Sequence, residues 1–178
     1  MNLPNKITLI RVLMIPAFLV VYLACPVDAV GAWLALILFS TAAITDALDG
    51  YLARKMGQIT NFGKLMDPLA DKFLVCSALV AFVATGALPA WAVIVMISRE
   101  FYISGLRQLA LEQNTVLAAT TGAKFKTVIQ IVLIIYILLP FRQIVFEPVV
   151  LALMIVSIAA SVLTAVDYTV KNLGVLRQ

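Results

Sequence analysis

Long apolar runs, broken at short intervals by charged or turn-forming clusters, dominate the hydrophobic pattern of this chain. Six of them stand out, at 5–25, 32–54, 63–85, 90–112, 122–141 and 147–171. A helix rises about 1.5 Å per residue, so each run is long enough to cross a hydrocarbon core of roughly 30 Å. The pattern predicts an all-α integral membrane protein with six transmembrane helices. The connections are short, and no internal repeat, low-complexity tract or flexible linker separates the runs. Residues 1–178 therefore read as one membrane domain. The first run differs from a cleaved signal peptide in two ways: Arg11 interrupts its start, and no convincing small-residue cleavage site precedes Pro26.

Composition agrees with lipid as the solvent. Hydrophobic residues make up 63% of the chain and charged residues 12%, far from the balance of water-soluble domains. Cys25 and Cys76 have neither metal-ligand spacing nor a secreted disulfide pattern, and read as packing residues. Histidine is absent, so acid–base chemistry falls to carboxylates.

The basic residues set an orientation, because cytoplasmic flanks of spanning helices are rich in Lys and Arg. With the amino terminus inside, Lys6, Arg11, Arg54, Lys55, Lys64, Lys72, Arg99, Arg107, Lys124, Lys126, Lys171 and Arg177 fall toward the cytoplasm. Arg142 alone falls outside. Both termini are then cytoplasmic. The net charge of +4 is accounted for by such flanks and by attraction to anionic membrane lipids, and nothing points to nucleic acid.

Chemistry concentrates where the second run meets the third, in TDALDGYLARKMGQITNFGKLMDPLADK. Four carboxylates, Asp46, Asp49, Asp67 and Asp71, stand here in hydrophobic surroundings. Each costs about 2.5 to 3.5 kcal/mol at the centre of a spanning helix, so the group calls for cations. Asp46 and Asp49 share one helical face, and Asp67 and Asp71 share a face of the next helix. A short turn makes the two helices antiparallel and lets the pairs face each other. Hard oxygen ligands without Cys or His suit two Mg²⁺ or Mn²⁺ ions. Gly50, Ala53 and Gly63 remove bulk where helices and a ligand must approach closely. Arg54 supplies a planar cation suited to a phosphate oxygen. Packing would explain any one of these residues, but it does not explain their combination at fixed offsets.

The run reads D-x-x-D-G-x-x-A-R, eight residues, then G-x-x-x-D-x-x-x-D. It is filled without departure by Asp46, Asp49, Gly50, Ala53, Arg54, Gly63, Asp67 and Asp71, and it resembles the signature of the CDP-alcohol phosphotransferase family. The resemblance implies a six-helix membrane fold, usually a homodimer, with a metal site open to the cytoplasmic interface and a CDP-linked lipid donor. It also implies that Asp71 is the catalytic base and that Asp46, Asp49 and Asp67 are primarily metal ligands. Asn5 and Thr8 become candidates for hydrogen bonds to the nucleotide.

Three further stretches, NLPNKITLIRVLMIP, SREFYISGLRQLALEQN and GAKFKTVIQ, resemble the bacterial branch of that family that makes phosphatidylglycerophosphate. On that likeness the donor is CDP-diacylglycerol, the acceptor is glycerol 3-phosphate, and the location is a bacterial cytoplasmic membrane. Arg99, Arg107, Lys124 and Lys126 are candidates to hold the acceptor phosphate, with Arg107 and Lys124 foremost. Glu100, next to Arg99, is expected to be an ion-pair or orienting partner. The alternatives are another acceptor (serine, inositol phosphate or a phospholipid hydroxyl), a divalent-cation transporter, or a non-catalytic lipid-binding protein with a structural ion.

Overall fold

The structure, a computed structural model, describes the backbone of residues 3–24, 29–56, 61–113, 121–140 and 147–172, and the side chains of 10–24, 30–45, 72–113, 122–140 and 147–172. Among the described residues there are six α-helices and no strand. They are α1 (Leu3–Ala24), α2 (Ala29–Met56), α3 (Asn61–Ala84), α4 (Ala90–Glu112), α5 (Thr121–Leu138) and α6 (Glu147–Lys171). Each apolar run of the sequence lies on one of them. The largest shifts are three residues, at the start of α2 and at the end of α5, which stops at Leu138 rather than 141. Pro140 follows there, and a proline disfavours helical geometry in the residue before it.

Local chemistry explains where α3 ends. Gly86 takes the left-handed conformation, with φ of 72°. Its N–H bonds to the Val83 carbonyl at 3.1 Å and the Ala87 N–H to that of Phe82 at 2.8 Å. This paired closure satisfies carbonyls that a helix end leaves orphaned, and it needs a residue without a Cβ at the turn. Pro89 then caps α4 in an extended conformation, as its lack of an N–H favours. Pro16 lies inside α1, where it removes one backbone hydrogen bond, a loss that helices in lipid tolerate.

The chain divides into two compact units, Met1–Ala87 with Ile137–Ile144, and Leu88–Tyr136 with Val145–Gln178. In the first, α1 packs against both α2 and α3 through an aromatic core. Phe18 stacks on Tyr22 with ring centroids 5.9 Å apart, tilts against Phe39 at 5.9 Å, and Tyr22 meets Phe82 edge-on at 5.3 Å. The buried Tyr22 hydroxyl bonds Thr85 Oγ1 at 2.9 Å, giving the polar tip of the ring a partner. In the second unit α4 packs against α6, with Ile103, Leu106 and Tyr168 buried together beside Ala165. The links Arg99–Thr164 and Arg107–Tyr168 ascend along both helices, so α4 and α6 run in the same direction.

Polarity is distributed in the reverse of a water-soluble protein. Leu13, Val20, Ile37, Val80, Ile94, Ile155 and Leu163 are exposed, while Arg11, Lys126, Gln130, Ser157 and Ser161 are buried. Apolar surface on this scale marks contact with lipid or another protein. Among the described residues, α6 is the one helix long and apolar enough to cross a membrane. The described apolar segments Ile10–Ala24, Val30–Thr45 and Lys72–Ala84 are shorter. Among the described residues the fold is all-helical, and its exposed apolar surface is consistent with a membrane protein.

Candidate functional site

The acidic run lies on helical backbone throughout its described parts. Asp46, Asp49, Gly50, Ala53 and Arg54 belong to α2, Gly63, Asp67 and Asp71 to α3, and Asn5 and Thr8 to the start of α1. The side chains of all ten lie outside the described residues. Spacings of three and four place each acidic pair on one face only if the backbone is helical, and it is. Two same-face pairs of hard oxygen donors fit divalent cations. Among the described residues no group of three or more acidic, His or Cys side chains gathers. The turn of α2 just before Asp46 keeps its hydroxyls to itself: Thr41 Oγ1 donates to the Ile37 carbonyl at 2.7 Å, and Thr45 Oγ1 lies 2.9 Å from those of Thr41 and Ala42. Back-bonding of this kind lets threonine sit in apolar surroundings.

The basic candidates belong to the second unit, and the structure separates them. Glu100 on α4 is the hub. Its Oε1 accepts from Arg99 Nη1 at 3.1 Å and from Lys126 Nζ of α5. Arg99 Nη2 donates to Thr164 Oγ1 of α6 at 3.0 Å, and Lys126 Nζ also donates to Gln130 Oε1. The Arg99, Glu100 and Lys126 side chains are 9%, 16% and 2% exposed. Buried charges hold only when paired and hydrogen-bonded, and here one carboxylate serves two cations. Glu100 is thus the ion-pair partner its position beside Arg99 suggests. Arg99 Nε remains buried without a hydrogen bond among the described residues, as do Gln130 Nε2 and the hydroxyls of Ser157 and Ser161.

Arg107 is held differently. Its Nε donates to the Tyr168 hydroxyl at 3.2 Å, and the guanidinium carbon lies 5.7 Å from the centroid of the same ring. One turn away, the Tyr102 and Thr169 hydroxyls share a 2.9 Å hydrogen bond. Lys124 is exposed in the first turn of α5. A Cβ on its neighbour Gly122 would lie 3.0 Å from Thr164 Cγ2, so α5 and α6 approach closely where α6 reaches Arg99. The arrangement therefore ties Arg99 and Lys126 into an interior network, leaves the outer nitrogens of Arg107 without a hydrogen-bond partner among the described residues, and keeps Lys124 at the surface.

Thr164, Tyr168 and Gln130 are not among the candidate residues read from the sequence. A signal for the first two exists: Ser157, Ser161, Thr164 and Tyr168 recur at helical spacing within an otherwise apolar α6, and three of them are buried. Arg11, assigned to the positive flank, is also wholly buried.

Comparison with known proteins gives a consistent result. The family model described as CDP-alcohol phosphatidyltransferase matches residues 1–166. A Bacillus subtilis protein named CDP-diacylglycerol–glycerol-3-phosphate 3-phosphatidyltransferase is 43% identical, with 99% of this chain and 97% of that protein covered. A Mycobacterium tuberculosis protein named probable phosphatidylglycerophosphate synthase is 38% identical over 99% of this chain and 86% of its own. A Rickettsia bellii protein with the same name as the Bacillus one is 36% identical over 72% of this chain and 70% of its own.

Proposed function

The chain belongs to the CDP-alcohol phosphatidyltransferase family, and on that premise we propose that it transfers the phosphatidyl group of CDP-diacylglycerol to glycerol 3-phosphate. The products are phosphatidylglycerophosphate and CMP. The observation that carries this reading is end-to-end likeness to relatives whose names specify that reaction, in a chain whose acidic signature has all eight positions filled.

The roles follow from the chemistry of the residues. The acceptor hydroxyl attacks the phosphorus bonded to diacylglycerol, a new P–O bond forms, and the bond to the CMP oxygen breaks. Asp71 accepts the hydroxyl proton. Asp46, Asp49, Asp67 and Asp71 hold two divalent cations, Mg²⁺ or Mn²⁺. When bound, these ions neutralise the diphosphate and stabilise charge on the attacking and leaving oxygens. Arg54 holds a donor phosphate oxygen, Gly50, Ala53 and Gly63 leave room for the CDP group, and Asn5 and Thr8 hydrogen-bond the nucleotide. Arg107 and Lys124 face the acceptor phosphate. Arg99 and Lys126 supply positive potential behind them, since Glu100 neutralises one of that buried pair of cations.

In this reading the six helices span a bacterial cytoplasmic membrane, residues 1–178 act as one domain, and the chain works as a homodimer. Both termini and the reaction centre lie on the cytoplasmic side, where the soluble acceptor is available.

The test is to incubate detergent-purified protein with CDP-diacylglycerol, Mg²⁺ and labelled glycerol 3-phosphate, following lipid-borne label and CMP together. Equimolar appearance of both is expected. Product from serine or inositol phosphate, with none from glycerol 3-phosphate, would reassign the acceptor. Metal flux into vesicles without CMP release would replace the enzyme by a transporter.

A further inference from the structure

Arginine presents five N–H donors on two usable edges, and what occupies one edge decides what the other can do. Arg99 and Arg107 sit on the same helix but spend their donors in opposite ways. Arg99 commits both outer nitrogens, to Glu100 and Thr164. Arg107 commits only Nε, to Tyr168, and its two outer nitrogens have no hydrogen-bond partner among the described residues. Those two form the fork that binds a phosphate through two parallel hydrogen bonds.

Tyr168 has further properties that a packing residue does not need. It is 2% exposed, yet its hydroxyl lies beside a cation and accepts that cation's inner N–H. No described residue accepts the proton of the Tyr168 hydroxyl. A buried O–H donor without an acceptor is costly, and here it stands beside an unspent guanidinium fork. The ring adds a face to the same guanidinium, restraining it without consuming a donor.

We infer that Tyr168 is a positioning residue of the acceptor site, gripping Arg107 by its inner nitrogen so that the outer fork is oriented for the phosphate of the acceptor. The inference rests on the reading that Arg107 faces that phosphate. It brings α6 into acceptor recognition, a helix that contributes nothing to the acidic signature. It also predicts that a lysine would serve poorly at position 107, since its single nitrogen would have to make both contacts without the planar fork.

The experiment is a double-mutant cycle read as steady-state kinetics in detergent, varying glycerol 3-phosphate and CDP-diacylglycerol separately. Tyr168→Phe keeps the ring and removes the hydroxyl. It should raise KM for glycerol 3-phosphate about three- to tenfold, as expected for one hydrogen bond, and leave KM for CDP-diacylglycerol nearly unchanged. In an Arg107→Ala background the same substitution should have no further effect on the acceptor KM, because the hydroxyl acts through the guanidinium. Arg107→Lys leaves Tyr168 intact and should raise the acceptor KM by itself, which keeps the test open should Tyr168→Phe fold poorly. An unchanged acceptor KM in Tyr168→Phe overturns the inference, as does an equal effect in the presence and absence of Arg107. If the wild type uses glycerol 3-phosphate but Arg107→Ala leaves its KM unchanged, the placement of Arg107 falls, and the inference with it. If the wild type makes no lipid product from glycerol 3-phosphate, the acceptor assignment itself fails.

Discussion

A carboxylate and its amide have nearly the same shape and differ in charge, so Asp→Asn substitutions probe metal binding with little change in packing. Asp46→Asn, Asp49→Asn and Asp67→Asn should each lower kcat/KM by about a hundredfold or more, equivalent to roughly 3 kcal/mol of transition-state stabilisation. Each variant should remain folded. A chelator should abolish wild-type activity and added Mg²⁺ or Mn²⁺ restore it; full activity in chelator would end the metal mechanism. Glu100 gives the opposite signature. Its Oε1 is shared by Arg99 and Lys126, and Glu100→Gln removes the carboxylate that these two buried cations share. Stripping one partner from a buried ion pair costs about 3 to 5 kcal/mol. The expected outcome is a clear fall in the melting temperature in detergent before any kinetic constant is considered, and a melting temperature equal to wild type would show that the cations have other compensation.

Among the elements, the ends of the helices are set by single residues with identifiable jobs. The left-handed φ of Gly86 closes α3 and begins the turn into α4. A Cβ there meets nothing within 4 Å, so Gly86→Ala carries conformational strain without a steric clash. The strain is about 1 to 2 kcal/mol, and should lower the melting temperature in detergent by a few degrees while sparing both KM values. Gly122 is the reverse case. Its conformation is ordinarily helical and the limit is space, with Thr164 at 3.0 Å from a would-be Cβ. A large side chain at 122 should push α5 from α6 and disturb the Arg99–Thr164 hydrogen bond, whereas alanine needs a shift of only a few tenths of an ångström.

At the scale of the whole molecule, the proposed orientation follows from the distribution of basic residues. In the second unit α4 and α6 run in the same direction, as the proposed six-span arrangement requires. Under the positive-inside rule, reporter fusions before Met1 and after Gln178 should both report the cytoplasm. A carboxyl-terminal fusion on the opposite side would require an odd number of crossings and undo the six-span arrangement. The exposed apolar side chains of both units predict that the protein stays with the membrane through high-salt and alkaline washes and leaves it only in detergent.

What the sequence determined by itself was local. Helix length and composition are properties of contiguous residues, and each of the six apolar runs lies on a helix, with α4 and α6 matching end for end. The acidic signature is likewise contained in one short stretch, so the family was legible from residues 46 to 71 without any tertiary contact. Partner choice was not legible, because the physics that decides it acts across the chain. Lys126 reaches Glu100 over 26 positions, Arg107 reaches Tyr168 over 61, and Arg99 reaches Thr164 over 65. Four basic residues that look equivalent along the chain become two that share one carboxylate and are held inside, one gripped by its inner nitrogen, and one at the surface. Only the packing of α4, α5 and α6 could make that division, since burial forces each charge to find a partner and the fold decides which partner is within reach.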